Sequence, residues 1–422
     1  MGIPGVVRTF AESERQSLSA GGGFARDAVL TSLAAFTTQT LTPETLHRVA
    51  GARVMLANYE LLLHDFPAHI ERLLGRRVAS ERDLGDADTQ AIDDWLAAQT
   101  AFVSTPQSSQ AYANTTIALT GETRLAHRPP RYFGAAVMTA ANGGLFDVKG
   151  CGVPAGTMPS LPNSNGLLTI GEAIFEFAME RLVFAALRHA GSAARPIPAY
   201  GVIDLGFDVK EPNPNGAGRA TLLLRRAQTR PEFQWGHADP GPVMAGLLMG
   251  IELTLRRYGI SASSCGAVRF RIADDQGALA VTRDDTVLPF DQARLEQIRQ
   301  ATRFAGSPLI VDGVNVQIAD GDAPRVLDFG RYRLRSAFDA ILYTWWTRDY
   351  ESLVGEFLLP DSARYVQPDP HFSMAGAETQ PEWRALWRAV AQYQNDNLGR
   401  RALTHAFNAA IEAATARVAG AL

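Results

Sequence analysis

Lysine is almost missing from this chain. Of its 40 basic residues only two are lysines, Lys149 and Lys210. Arginine is a rigid planar fork and lysine a compact charge on a flexible stem, so the two are not interchangeable at a crowded anion. A lysine inside an apolar segment of such a chain marks a place where a guanidinium would not serve. Lys149 lies in a segment of that kind, whereas Lys210 adjoins a Pro/Asn/Gly turn and reads as solvated. Cysteine is as scarce. Cys151 and Cys265 alone are too few for a disulfide framework and unsuited to a zinc site. Long apolar runs are missing too: no uncharged stretch is long and apolar enough to span a bilayer. Met1-Gly2-Ile3-Pro4 has no basic-then-apolar leader, and Val6 stands where a myristoylation signal needs Ser or Thr. The net charge of -4 arises from mixed signs, which leaves no electrostatic footprint for nucleic acid or anionic lipid. The expected compartment is the cytoplasm, with neither nucleic acid nor membrane as a partner.

What is present is an ordinary globular composition, 46 % hydrophobic and 20 % charged over 422 residues. That length suffices for one large domain or two to three smaller ones. The first hundred or so residues read as helical. Thr42-Pro43-Glu44 looks like a cap with proline at the first helical position, followed by a periodic run from Leu46 to Leu63 that stops before Pro67, and a second helix fits Ala87 to Phe102. From Ile117 the texture changes to short apolar runs separated by Gly, Pro and Asn. Strands are expected at Tyr132 to Thr139, Leu145 to Lys149, Tyr200 to Val209 and Ala220 to Arg226, forming an antiparallel sheet. One helix interrupts them, Ile170 to His189, with Ile174, Phe177, Ala178, Leu182 and Ala185 at helical spacing. Beyond Arg230 helices are expected at Pro242 to Tyr258, at Asp291 to Phe304 and from Ser336 onward with a loop around Tyr365 to His371, and strands at Ala267 to Ile272 and Leu309 to Ile318. The expected division is a helical extension over 1–110, a sheet-bearing part over 111–235 and a mainly helical part over 236–422.

Three patterns carry chemistry. In Phe146-Asp147-Val148-Lys149-Gly150 a lysine ends a strand soon after the turn Gly143-Gly144, which could let backbone approach a phosphate. Glu176 sits between Phe175 and Phe177 on the following helix, where an unpaired carboxylate would be costly and a lysine would relieve the cost. Finally, Asn315 precedes Asp328 of Asp328-Phe329-Gly330 by 13 residues. A Walker A loop is excluded because it needs Gly before Lys, and both lysines follow Val. Serine-hydrolase and zinc-enzyme motifs are also missing.

This order of strand lysine, helix glutamate, Asn and Asp-Phe-Gly resembles the protein-kinase superfamily. Within it, the chain is most similar to the selenoprotein O family, kinase-like proteins that bind ATP in a flipped orientation and transfer AMP to protein hydroxyls. Val148-Lys149-Gly150-Cys151-Gly152, Phe175-Glu176-Phe177 and Arg225-Arg226-Ala227-Gln228-Thr229-Arg230 carry that likeness, which spans roughly Leu145 to Tyr332. The resemblance implies an α+β, two-lobed kinase-like fold and ATP with Mg²⁺ as cofactors. Lys149 and Gly150 would lie at the nucleotide, Glu176 would orient the lysine, Arg225 and Arg230 would contact phosphates, and Asn315 with Asp328 would bind metal. One departure stands out. Kinases place a catalytic aspartate five residues before the Asn, where this chain has Ile310. Asp312 is the nearest carboxylate and the candidate base. The expected activity is transfer of AMP from ATP to a protein or peptide hydroxyl. The alternatives are phosphate transfer to a protein, peptide or small molecule, and an inactive pseudokinase serving as a binding module.

Overall fold

The computed structural model describes residues 31–36, 41–104, 117–129, 134–140, 143–154, 166–189, 195–209, 218–228 and 381–421, together with eight short strands between 268 and 343. The chain is α+β and divides into two compact units. The first comprises 1–178, 198–230 and 385–412, and the second 179–197, 231–384 and 413–422.

In the first unit the segment expected to be a single helix forms two strands, β1 (Thr42–Val49) and β2 (Arg53–Ala57), before helices α1 (Tyr59–Asp65) and α2 (Pro67–Leu74). Tertiary pairing overrides the local helical signal here. β1 lies between β3 (Phe102–Val103) and β4 (Leu119–Arg128), and Pro43 sits near its start, where a missing amide is tolerated. Gly51, at φ 75°, turns the chain between the two strands. The expected helix at 87–102 is present as α3 (Asp86–Thr100).

Four later strands fall where the short apolar runs predict them, β5 (Ala135–Thr139), β6 (Leu145–Lys149), β9 (Ala199–Val209) and β10 (Gly218–Arg226), while the short β7 (Leu168–Thr169) is not among the expected strands. Helix α4 (Ile170–His189) falls where the periodicity predicts it. All of these strands join β1 to β4 in one antiparallel sheet of order β2-β9-β10-β6-β5-β4-β1-β3, with β7 on β10. Six strand spacings would put β1 about 29 Å from β2 in a flat sheet. Three residues link them, a reach of about 14 Å at most, so the sheet must curl its two ends toward each other.

Pleating sends alternate residues of β6 to opposite faces. Phe146 and Val148 enter the main core with Phe66, Trp95 and Tyr200, and ring centroids lie 5.3 Å apart for Phe66 and Phe146 and 5.4 Å for Phe146 and Tyr200. Helices α1 to α3 therefore cover that face. Asp147 and Lys149 point to the other, where α4 packs.

Helices α5 (Pro381–Gln394) and α6 (Arg400–Ala421) answer the expectation of a helical C-terminus. Most of both belongs to the first unit. Arg400 explains the attachment: it pairs with Asp93, and its Nη2 donates to the Tyr59 hydroxyl at 2.5 Å. Phe177 of α4 and Phe407 of α6 stack with centroids 5.4 Å apart.

In the second unit three small three-stranded sheets are described. The expected strand at Ala267 to Ile272 appears as β11 (Val268–Ile272), paired with β12 (Leu279–Arg283), which pairs with β13 (Thr286–Leu288). The expected strand at 309–318 appears as two, β14 (Leu309–Ile310) and β15 (Val316–Ile318), in different sheets. β15 pairs with β16 (Pro324–Val326), itself parallel to β8 (Arg195–Pro196). Where helix was expected after Ser336, Ala340–Tyr343 is strand β18, paired with β14 and with β17 (Tyr332–Arg335). A four-residue apolar run suits a buried strand as well as a helix, and two partner strands settle it. The helices expected at 242–258 and 291–304 lie outside the described residues. Among the described residues no helix is long and apolar enough to cross a membrane.

Candidate functional site

Lys149 is the last residue of β6, held between Ala135 of β5 and Leu223 of β10. Its ammonium forms an ion pair with Glu176 of α4. The two partners differ in access: the lysine side chain keeps 26 % exposure and the glutamate 3 %. The carboxylate is enclosed and fixes where the ammonium sits. The sequence expectation of a strand lysine meeting a helix glutamate describes this contact.

Glu172, one turn before Glu176, completes the arrangement and was not among the expected residues. Its Oε2 accepts from the Thr169 amide at 2.7 Å and the Thr169 hydroxyl at 2.8 Å. The Glu172 amide in turn faces the Thr169 hydroxyl at 3.4 Å, making a reciprocal cap for α4. Burial pushes the Glu172 carboxyl above the ordinary carboxylate range and Glu176 adds to the effect, against the Thr169 hydrogen bonds and the Lys149 charge. The signal was legible: Thr169-Ile170-Gly171-Glu172 is the Thr-x-x-Glu capping pattern before an apolar run.

Gly150 has a structural task. Its φ is +100°, and a Cβ there would fall 2.5 Å from the Thr221 carbonyl oxygen and 2.9 Å from Leu168 Cβ. Its amide donates to the Gly134 carbonyl at 2.7 Å, so it serves the loop rather than standing open to a phosphate. Gly150→Ala is expected to destabilise the fold by about 2–4 kcal/mol through backbone strain and overpacking. A chemical denaturation midpoint equal to that of the parent chain would refute the crossing.

Arg225, expected at the nucleotide, lies on the same face of the sheet as Lys149, through its pairing with Asp147. It is 1 % exposed, lies opposite Asp147 across the β10–β6 ladder, and its Nη2 donates to Asp147 Oδ2 at 3.2 Å. The guanidinium is enclosed there. Its neighbour Arg226 points to the opposite face, where its Nε donates to Asp65 Oδ2 at 2.9 Å and the Tyr200 hydroxyl reaches the same oxygen at 2.7 Å. Arg230, Asp312, Asn315 and Asp328 lie outside the described residues. Among the described residues no cluster of three or more His, Cys, Asp or Glu is placed to hold a metal ion.

Cys151 is fully buried, and burial pushes its thiol up, away from thiolate chemistry. Arg128 Nη1 approaches its sulfur at 3.2 Å while donating to the Gly152 carbonyl at 2.8 Å. The arginine thereby braces the loop that follows Lys149.

Comparison with known proteins adds no relative: no protein-family model and no curated protein matches the chain.

Proposed function

We propose that the chain is an ATP- and Mg²⁺-dependent transferase with a two-lobed, protein-kinase-like fold, acting on a protein or peptide hydroxyl by transfer of AMP. The observation that carries the reading is the Lys149–Glu176 pair. The lysine ends the third strand of the antiparallel run β4-β5-β6, and its carboxylate partner comes from the first long helix that follows. Protein kinases use a lysine on their third strand and a glutamate on the next helix to hold ATP phosphates.

ATP suits this pair because a partly exposed, carboxylate-anchored ammonium presents one point charge to phosphate oxygens without swinging away from them. Asn315 and Asp328 are the proposed metal ligands, being hard oxygen donors in the order the superfamily uses. Bound Mg²⁺ would supply charge neutralisation at the phosphates. In AMP transfer the acceptor oxygen forms a bond to the α-phosphorus, the bond to the bridging oxygen breaks, pyrophosphate leaves, and the hydroxyl proton passes to a base. Asp312 is the proposed acceptor of that proton. The cytoplasm is the proposed compartment.

Ile310 favours a second reading, a pseudokinase whose pocket only scaffolds a partner, since the ordinary base position is apolar. ATP labelled at the α- or the γ-phosphate separates the possibilities when incubated with the chain, Mg²⁺ and candidate acceptor proteins. Transfer of the α-label alone is expected. The γ-label alone would mean phosphate transfer with ADP leaving, and neither label would leave the scaffold.

A further inference from the structure

We propose that Glu172 is a positioning residue for Lys149: by tying the first turn of α4 to β7, it keeps Glu176 against the ammonium in the resting protein. The inference rests on the reading of Lys149 as the phosphate-binding group for its consequence, but not for its geometry.

β7 runs into α4 without an intervening residue. It is tied on two sides. Thr169 and Leu168 pair with Ala220 and Thr221 of β10, the Thr221 hydroxyl donates to the Leu168 carbonyl at 3.1 Å, and Leu167 bridges to Cys151 just past Lys149. β10 in turn lies beside β6 with Leu223 opposite Lys149. The close crossing of Gly150 over Leu168 and Thr221 leaves this backbone little room to shift.

Glu172 passes that rigidity to the helix. Two hydrogen bonds from Thr169, one from its amide and one from its hydroxyl, end on Glu172 Oε2. Residues four apart share a helix face, so the side chain that caps the helix and the side chain that grips Lys149 lie one above the other. The contacts form a closed circuit from Lys149 through β10, β7, Thr169, Glu172 and Glu176 back to Lys149. A displacement of the start of α4 that opens the ion pair must also break the cap. The pair is accordingly assembled before nucleotide arrives, rather than by a swing of the helix.

The scarcity of lysine makes the test direct. The intact chain, without nucleotide, is treated briefly with a limiting amine-acetylating reagent, and acetylation of Lys149 relative to Lys210 is read by peptide mass spectrometry. Glu172→Ala is expected to raise that ratio about five-fold, the change in opening equilibrium that follows from losing one cap. Glu172→Gln, whose amide oxygen still accepts from Thr169, should stay near the parent ratio, and Thr169→Ala should fall between. A folded Glu172→Ala chain with an unchanged ratio would overturn the proposal, as would Glu172→Gln as reactive as Glu172→Ala. If Glu172→Ala does not fold, Thr169→Ala decides: a raised ratio supports the cap and an unchanged one overturns it. No ATP is present, so failure here is distinguishable from failure of the nucleotide-binding reading, which would show as lost ATP affinity with these ratios intact.

Discussion

Lys149→Arg is expected to lower ATP-dependent transfer by about 10²-fold or more although the charge is kept. The parent ammonium sits at a strand end between Ala135 and Leu223 and meets a carboxylate that retains 3 % exposure. An enclosed Glu176 cannot retreat to admit a planar fork, and a guanidinium that turns to satisfy it presents different donors to a phosphate. The measurement is the initial rate of label transfer in a variant whose circular dichroism matches the parent. Full activity would remove Lys149 from the chemistry and reduce its rarity to chance.

The largest stability effect is expected at the opposite face of the sheet. Asp65→Ala removes the carboxylate facing a fully buried Arg226 guanidinium, and breaking a buried pair on one side costs about 3–5 kcal/mol. Replacing both partners by apolar residues, Asp65→Leu with Arg226→Met, should recover much of that loss. The pair also sets an acid limit. Burial of Asp65 opposes its ionisation, but the hydrogen bond from His64 and the Arg226 guanidinium outweigh it and hold the carboxyl below its ordinary value of 3.8. A carboxyl depressed in the folded state contributes stability that is complete above its unfolded value and is lost as the pH falls through the folded one. Urea unfolding of the parent chain between pH 5 and about pH 2 should therefore show a loss that the double apolar variant shows less steeply. Parallel curves would mean that the pair does not carry the acid sensitivity.

Local signals made part of this molecule readable. β6, β9 and β10 follow the short apolar runs of their own residues and α4 its helical spacing, and a carboxylate between two phenylalanines calls for a cation such as Lys149. What escaped depends on partners distant in sequence. Arg226 meets Asp65 across 161 residues and Arg400 meets Asp93 across 307, so neither the core ion pair nor the attachment of the last helices to the first could be read from spacing. The periodic run that begins at Leu46 reads locally as helix, while the ladders that make β1 and β2 strands come from residues 102–128 and 199–209. Arg225 shows the same limit. Its neighbours in sequence resemble a phosphate-binding stretch, and its ladder partner on β6 is Asp147, which only register reveals.

Protection of Lys149 by nucleotide tests the central claim most directly. Acetylation of Lys149 and Lys210 is compared in the intact parent chain with and without Mg·ATP at ten times its dissociation constant. If the Lys149 ammonium holds the phosphates, its modification rate should fall about tenfold, in proportion to the free fraction, with Lys210 unchanged. Bound ATP that leaves the Lys149 rate as it was would contradict the account.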